Sequence, residues 1–571
     1  MSQGASTRPS PLPLIAPEFP SRPADHRTWG QLHGSSEALA ICESARAHKG
    51  LTLVITRSTA DAIRLEQAMR FFLGLPPEED GPAVSDDGLE LLSLPDWETL
   101  PYDLFSPHQD IISRRIRTLH RLPATSHGVL VVPARTLMHR LPPVNYLQGN
   151  TLLLEVGQSL DIKSWRMQLE AAGYRHAENV YEHGEYAVRG AILDIFPMGA
   201  SQPYRIDLFD DEIETLRTFD PETQRSIDRI ERIELLPAFE FPWHKEARSG
   251  FRSRWFEQFP DADKDTPIYQ DVTHGITPPG IEYYLPLFFD ETATLFDYLP
   301  GATHVFTADG LNDAVSHFDS ETRNRYEDRR HDRLRPILPP KLLFLQQEEL
   351  FGQLKAFPRV TVSAETKDAA GSVNCPTTTL PDIAMDGRAA DPAGRLKRFL
   401  GEFDGHVLIC AESSGRREAL MENLGEQGVE LKTLSGWQAF LDDKESSVAI
   451  TIAPMEQGLV LPEHSVALIT ETALFGERVL QRRRREKPTE TDDAGFRDLS
   501  ELRIGAPVVH IDHGVGRYLG LETITVEGEA SEFLMLEYAG GSKLYVPVSS
   551  LHLISRYTGS DTDHAPLHKL G

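Results

Sequence analysis

Hydrophobic and polar positions change rhythm along this chain of 571 residues. Two short runs, LTLVIT at 51–56 and GVLVVP at 128–133, are apolar almost throughout, as expected of strands buried on both faces of a parallel sheet. Residues 60–72, between them, have helical spacing. From about 152 to 236 the texture changes to strands and turns. There the run YRIDLF, 204–209, reads at period two, with Tyr204, Ile206 and Leu208 on one face and Arg205, Asp207 and Phe209 on the other. A large ring beside an arginine on a polar face is the composition of a protein-binding surface. A solvated face carrying one stray phenylalanine gives the same pattern. Arg189, closing the run 186–189, is placed to join them across a sheet.

Further along, HVLICAE (406–412) predicts a buried strand, 413–427 a helix, and 448–453 and 465–470 two more strands. Composition turns to Gly, Ser, Thr and Pro near residue 370, which marks a boundary ahead of this further α/β module. From 502 to 557 the pattern predicts a small, strongly bent antiparallel sheet. Its strands fall near 507–510, 521–526, 533–538 and 543–547, with turns at 512–516, 527–529 and 540–542. In the second of these strands Glu522, Ile524 and Val526 share one face and Leu521, Thr523 and Thr525 the other. One set therefore faces outward or lies at a sheet edge.

Length suggests roughly four domains. With 40% apolar and 25% charged residues the chain reads as soluble and globular, and no apolar run approaches the roughly 20 residues of a membrane helix. The proline-rich start, MSQGASTRPSPLPLIAPEFPSRP, reads as a disordered or extended tail and not as a secretory signal. Cys42, Cys375 and Cys410 are far apart, form no CxxC pair, and suit a reducing cytoplasm as three buried hydrophobes. A net charge of −28 is unfavourable for phosphate binding over most of the surface and favours basic protein partners. The cationic block of four arginines at 482–485 precedes Pro488 and a polar run, and reads as a linker or helix end.

Catalytic patterns are incomplete. A phosphate-binding loop of the G-x-x-x-x-G-K-[ST] type needs a lysine to neutralise the terminal phosphate, and no Gly-Lys dipeptide occurs in the sequence. The corresponding place reads Gly30-Gln-Leu-His-Gly34-Ser-Ser-Glu-Ala38: glycines without the cation, and with Glu37 where a triphosphate would be repelled. Asp210-Asp211-Glu212 follows a period-two strand and reads as a hairpin turn. Gly514-Val-Gly516-Arg-Tyr-Leu-Gly520 places its third glycine one residue late for a dinucleotide loop, and strand-like alternation follows it. His510, His513 and His552 lack zinc spacing, and His176, Glu178, Glu182 and His183 lack that of HExxH, so no metal site is expected.

Against this background the run GEYAVRGAILDIFP and the run YRIDLFDDEIETLRTFDPETQ, both within 184–226, resemble the UvrA-binding module shared by UvrB helicases and the Mfd family of transcription-repair coupling factors. LPDWETLPYDLFSPHQDIIS (94–113) is more similar to the Mfd family than to UvrB. PVVHIDHGVGRYLG and KLYVPVSSLHLISRY, within 507–557, resemble that family's RNA-polymerase-interacting domain, which is related to CarD. The segments follow the family's order and tile most of the chain.

The resemblance implies an α/β multi-domain fold: a tail (1–24), a degenerate RecA-like domain (25–150, completed by 237–371), an inserted α+β UvrA-binding domain (151–236), an α/β spacer (372–476), a linker (477–500) and a small Tudor/SH3-like β-barrel (501–571). It implies UvrA contacts through Arg189, Arg205 and Phe209. It also implies docking on the RNA polymerase β subunit by sheet-edge pairing, with Ile524 as the leading contact and Val526 and Arg517 beside it; on alternation alone, a place for Ile524 in the barrel core stays open. The implied role is coupling of stalled transcription to excision repair. In the family an ATP- and Mg-dependent DNA translocase follows the barrel. The sequence stops at Gly571, so the chain is expected to bind partners without a motor, to hold no cofactor, and to have DNA contacts mainly through those further domains. Two other classes stay open: a UvrB-like DNA-dependent ATPase, which lacks its lysine here, and a CarD-like regulator of transcription, for which the Arg189–Phe209 face has no use.

Overall fold

The two apolar runs become the central strands of the first of several sheets in the computed structural model, and the whole is a multi-domain α/β protein. The structure describes residues 13–76, 83–476, 505–510, 513–526, 529–547, 554–556 and 567–569, with side chains except at 523–532, 547, 555 and 556. In the first sheet the strand order is Ser372–Asn374, His26–Gly30, Arg359–Val362, Thr303–Ala308, Leu51–Thr56, Gly128–Pro133, Glu90–Ser93 and Ala83–Val84. All neighbours are parallel except the last pair. Every residue of Leu51–Thr56 and Gly128–Pro133 is buried, because helices cover both faces. Val54, Val129 and Val131 pack against helices Ser36–Ala47 and Thr59–Phe72. Leu53, Leu130 and Val132 face the other way, toward Ile112, Ile116 and Leu119 of helix Gln109–Arg121.

The inserted unit is a six-stranded sheet in the order Ser226–Ile230, Glu212–Phe219, Tyr204–Phe209, Ile192–Ile195, Glu185–Arg189 and Arg175–His176. A buried ion pair fixes the point where the chain leaves it. Arg115 Nε lies 2.5 Å from Glu240 Oε1 and Nη2 3.2 Å from Oε2, while Nη1 donates to the Pro95 carbonyl at 2.8 Å. Both side chains are out of solvent, where a bidentate guanidinium–carboxylate pair offsets its own desolvation only with such geometry.

A third sheet runs Lys432–Thr433, Val448–Ile452, His406–Ala411, Val466–Thr470, Leu459–Leu461. It is packed on the first domain: Trp437 meets Phe72 edge-on at 5.1 Å and Phe71 at 6.0 Å, in one apolar cluster with Leu408 and Leu468. The backbones meet as well. Ser35 N–H donates to the Gly458 carbonyl at 3.0 Å. Thr377 accepts from His33 N–H at 3.1 Å and donates to the Gln31 carbonyl at 2.5 Å. Gly34 sits at φ +58°, and a Cβ there would lie 2.0 Å from the Gly458 oxygen. The final antiparallel sheet is ordered Lys543–Pro547, Glu529–Glu537, Gly514–Val526, Pro507–His510, Ile554–Arg556.

Several expectations are corrected. Ile15 is buried and Leu14 and Ile15 N–H groups donate to the Glu43 carboxylate at 2.9 and 2.7 Å, so the described part of the expected tail, 13–24, is docked instead of disordered. Residues 372–374, assigned to the spacer, pair with 28–30 and still belong to the first sheet. The expected turn at 512–516 is shorter than anticipated, because the next strand already starts at Gly514 and runs unbroken to Val526. Gly514 and Gly516 are close-approach positions: a Cβ would meet His568 Nδ1 at 2.2 Å and the Tyr538 ring at 2.9 Å. The arginine block at 482–485 and the whole of 477–500 lie outside the described residues.

Gly34 and Gly74 separate backbone strain from the close contact between domains. Both have positive φ, but nothing lies within 4 Å of a Cβ at Gly74. Gly34→Ala is expected to cost roughly 3 kcal/mol and Gly74→Ala roughly 1 kcal/mol, read by scanning calorimetry. Equal costs would mean that the contact with Gly458 is not tight.

Candidate docking surfaces

The period-two reading of 204–209 corresponds to the two faces of the inserted sheet. Ile206 and Leu208 are buried against the core, while Phe209 is 70% exposed at the end of its strand. Asp210 and Asp211 form the two-residue turn to Glu212–Phe219, with Asp210 at φ +53°, so the acidic triplet is a hairpin as expected.

On the outer face one carboxylate organises both arginines. Arg205 pairs directly across the strands with Asp194, and Asp194 with Ala187. Arg205 Nε and Nη2 reach Asp194 Oδ1 and Oδ2 at 2.7 and 2.9 Å, and Nη1 donates to the Gln224 carbonyl at 3.1 Å. Its guanidinium lies 4.8 Å over the Phe219 ring. Arg189 donates from Nη2 to the same Asp194 Oδ2, and from Nη1 to Asn179 at 3.2 Å. The Asp194 side chain is fully buried, that of Arg205 is 16% exposed and that of Arg189 46%. The hydrogen bonds to Asp194 hold the Arg205 cation above the usual arginine range. Arg205 therefore uses most of its donors inside the fold and positions the face, whereas the Arg189 side chain is nearly half exposed. Asp194 was missed by the sequence reading. Its signal is a lone carboxylate in ILDI, out of phase with the inward Leu193 and Ile195.

At the head of the first sheet, a cleft of about 620 Å³ opens beside the Gly30–Gly34 stretch. Five of its lining side chains are acidic (Glu37, Asp61, Asp309, Glu365 and Glu456) and three are cationic (Arg57, Arg64 and Lys367). Each cation is already paired: Arg57 and Arg64 with Asp61, and Lys367 with Asp309 and Glu365. Desolvation raises the Glu37 pKa. The lining is electrostatically poor for a triphosphate. Cys42, Cys375 and Cys410 are free and buried, with burial pushing the Cys42 thiol up to about 12 and the Cys375 thiol to about 11. No helix among the described residues is long and apolar enough to cross a membrane.

In the final sheet, Pro507–His510 flanks only residues 514–517 of the long strand. Among the described residues, 521–526 pair on one side alone, with 529–534, leaving the other edge open. Ile524 and Val526 lie on this edge opposite Ser531 and Glu529; their side chains are outside the described set. Arg517 is set back from it, opposite Glu537 and donating to the Gly505 carbonyl at 2.6 Å.

Comparison with known proteins matches these units. The model of the UvrB interaction domain matches residues 152–241, that of the MFD D3 domain 399–474, and that of the CarD-like/TRCF RID domain 502–558. The chain is thus a multi-domain α/β protein that joins a UvrB-type interaction domain to a CarD-like domain. It is 43% identical to the transcription-repair-coupling factor of Haemophilus influenzae over 98% of this chain and 48% of that protein. For Escherichia coli the identity is 44% over 97% of the chain and 47% of the relative, and for Bacillus subtilis 27% over 86% and 43%. Over almost its whole length the chain corresponds to the N-terminal region of the transcription-repair-coupling factors, and it spans about half the length of these curated relatives.

The shared carboxylate predicts unequal costs. Asp194→Ala leaves two guanidiniums without their partner and should destabilise by about 2–3 kcal/mol. Arg189→Ala, half exposed and with Arg205 still neutralising Asp194, should cost under about 1 kcal/mol. Urea unfolding monitors both, and equal losses would contradict the division of labour between the arginines.

Proposed function

We propose that this chain couples stalled transcription to nucleotide excision repair by holding two partners: UvrA on the inserted sheet and the RNA polymerase β subunit on the final one. The observation that carries the reading is the outer face of the inserted sheet, where an exposed Phe209 lies on the same face as an arginine pair locked by a buried carboxylate. An exposed aromatic beside a pre-ordered guanidinium binds at low entropic cost, since the fold has already fixed the cation. The match to a UvrB interaction domain supports UvrA as the partner.

For the polymerase, the open edge of 521–526 suits strand addition, in which backbone hydrogen bonds supply affinity and alternate side chains selectivity. The CarD-like match supports this assignment, with Ile524 and Val526 as contacts and Arg517 bracing the strand behind them. We read the first domain as a RecA-like layer turned to structural use, the third module as its structural support and the final sheet as a Tudor/SH3-like barrel. In this reading the chain holds no cofactor and hydrolyses no ATP, acts in the cytoplasm, and leaves ATP, Mg and most DNA contact to further domains of the whole protein.

Paired pull-downs with purified UvrA and a polymerase β fragment test the proposal. Arg189→Ala and Phe209→Ala are expected to abolish capture of UvrA alone, and Ile524→Arg capture of β alone. Unchanged capture of both partners by all three variants would refute it.

A further inference from the structure

The outer face of the inserted sheet continues beyond Arg205. Directly opposite Arg205 on the next strand stands Arg217, and directly opposite Arg217 stands Arg229 on the edge strand Ser226–Ile230. Three arginines in consecutive cross-strand positions oppose folding, because like charges facing each other across a sheet repel. The carboxylate in the row, Asp194, is already consumed by Arg189 and Arg205. Arg217 has its Nε 3.8 Å from Asp207 and without a hydrogen-bond acceptor. Arg229 is exposed and has no ion pair among the described residues. A local arrangement that works against the fold, in a chain of net charge −28, is best understood as serving a ligand.

We propose that Arg217 and Arg229 extend the docking surface of Arg189 and Phe209 across the sheet to its free edge, and that the partner lays a line of acidic side chains along them. This rests on the reading of the face as the UvrA surface. A protein partner is favoured over a nucleic acid. The face also carries Asp207 and Glu212, the rest of the chain is strongly acidic, and the Phe209 end offers an apolar anchor with no counterpart on a phosphate backbone. Charges at the rim of such an interface act chiefly on the rate of encounter.

Association and dissociation of the full chain with purified UvrA, followed by biolayer interferometry at about 0.15 and 0.5 M salt, test this. The double variant Arg217→Glu/Arg229→Glu should slow association about tenfold at the lower salt, with dissociation little changed and the gap narrowed at the higher salt. Arg229→Gln, at an exposed position where the change should not disturb folding, should slow it about twofold. If Arg189→Ala abolishes binding while the Arg217 and Arg229 variants associate like the parent, the inference is overturned and the UvrA reading stands. If none of the variants changes binding, that reading fails as well. Weakened binding to duplex DNA with UvrA association unchanged would assign the strip to nucleic acid and overturn the proposal.

Discussion

The structure turns on the seam between the first and third sheets, where the Gly458 carbonyl receives the Ser35 N–H and leaves no room for a side chain at Gly34. A backbone loop at the head of a parallel sheet is the ordinary place to bind phosphate. Here the loop's polar groups go to Gly458 and Thr377, and the neighbouring cations go to carboxylates. The glycines that look like remnants of a nucleotide cradle have a present structural use. With the loop committed in this way, the third sheet becomes part of the first domain's support, reinforced by Trp437 against Phe71 and Phe72.

The two proposed docking surfaces are made differently. The inserted sheet displays fixed side chains: a buried Asp194 orders two arginines, and the exposed ring of Phe209 lies on the same face. The final sheet displays backbone, since among the described residues its long strand has no second neighbour beyond Tyr518. Side-chain display favours a partner of defined shape, and an open edge favours a partner that supplies a strand. The inserted sheet is tied to the first domain by the buried Arg115–Glu240 pair at its exit.

Much of this was legible from sequence. Uninterrupted apolar runs located Leu51–Thr56 and Gly128–Pro133 to the residue, because strands buried on both faces cannot alternate. Period two separated Ile206 and Leu208 from Phe209. What was missed depends on contacts distant in sequence. The docking of Ile15 needs Glu43, the edge strand Ser372–Asn374 needs His26–Gly30, and the role of Asp194 appears only when Arg189 and Arg205 arrive from neighbouring strands. Gly514 and Gly516 looked like turn formers because local pattern cannot reveal that His568 and Tyr538 press on them.

The most direct test of a seam in place of a nucleotide site is titration calorimetry of the full chain with Mg-ATP, together with phosphate release in the presence and absence of duplex DNA. The account predicts no saturable heat and no release above the buffer rate. Saturable binding with DNA-stimulated turnover would contradict it.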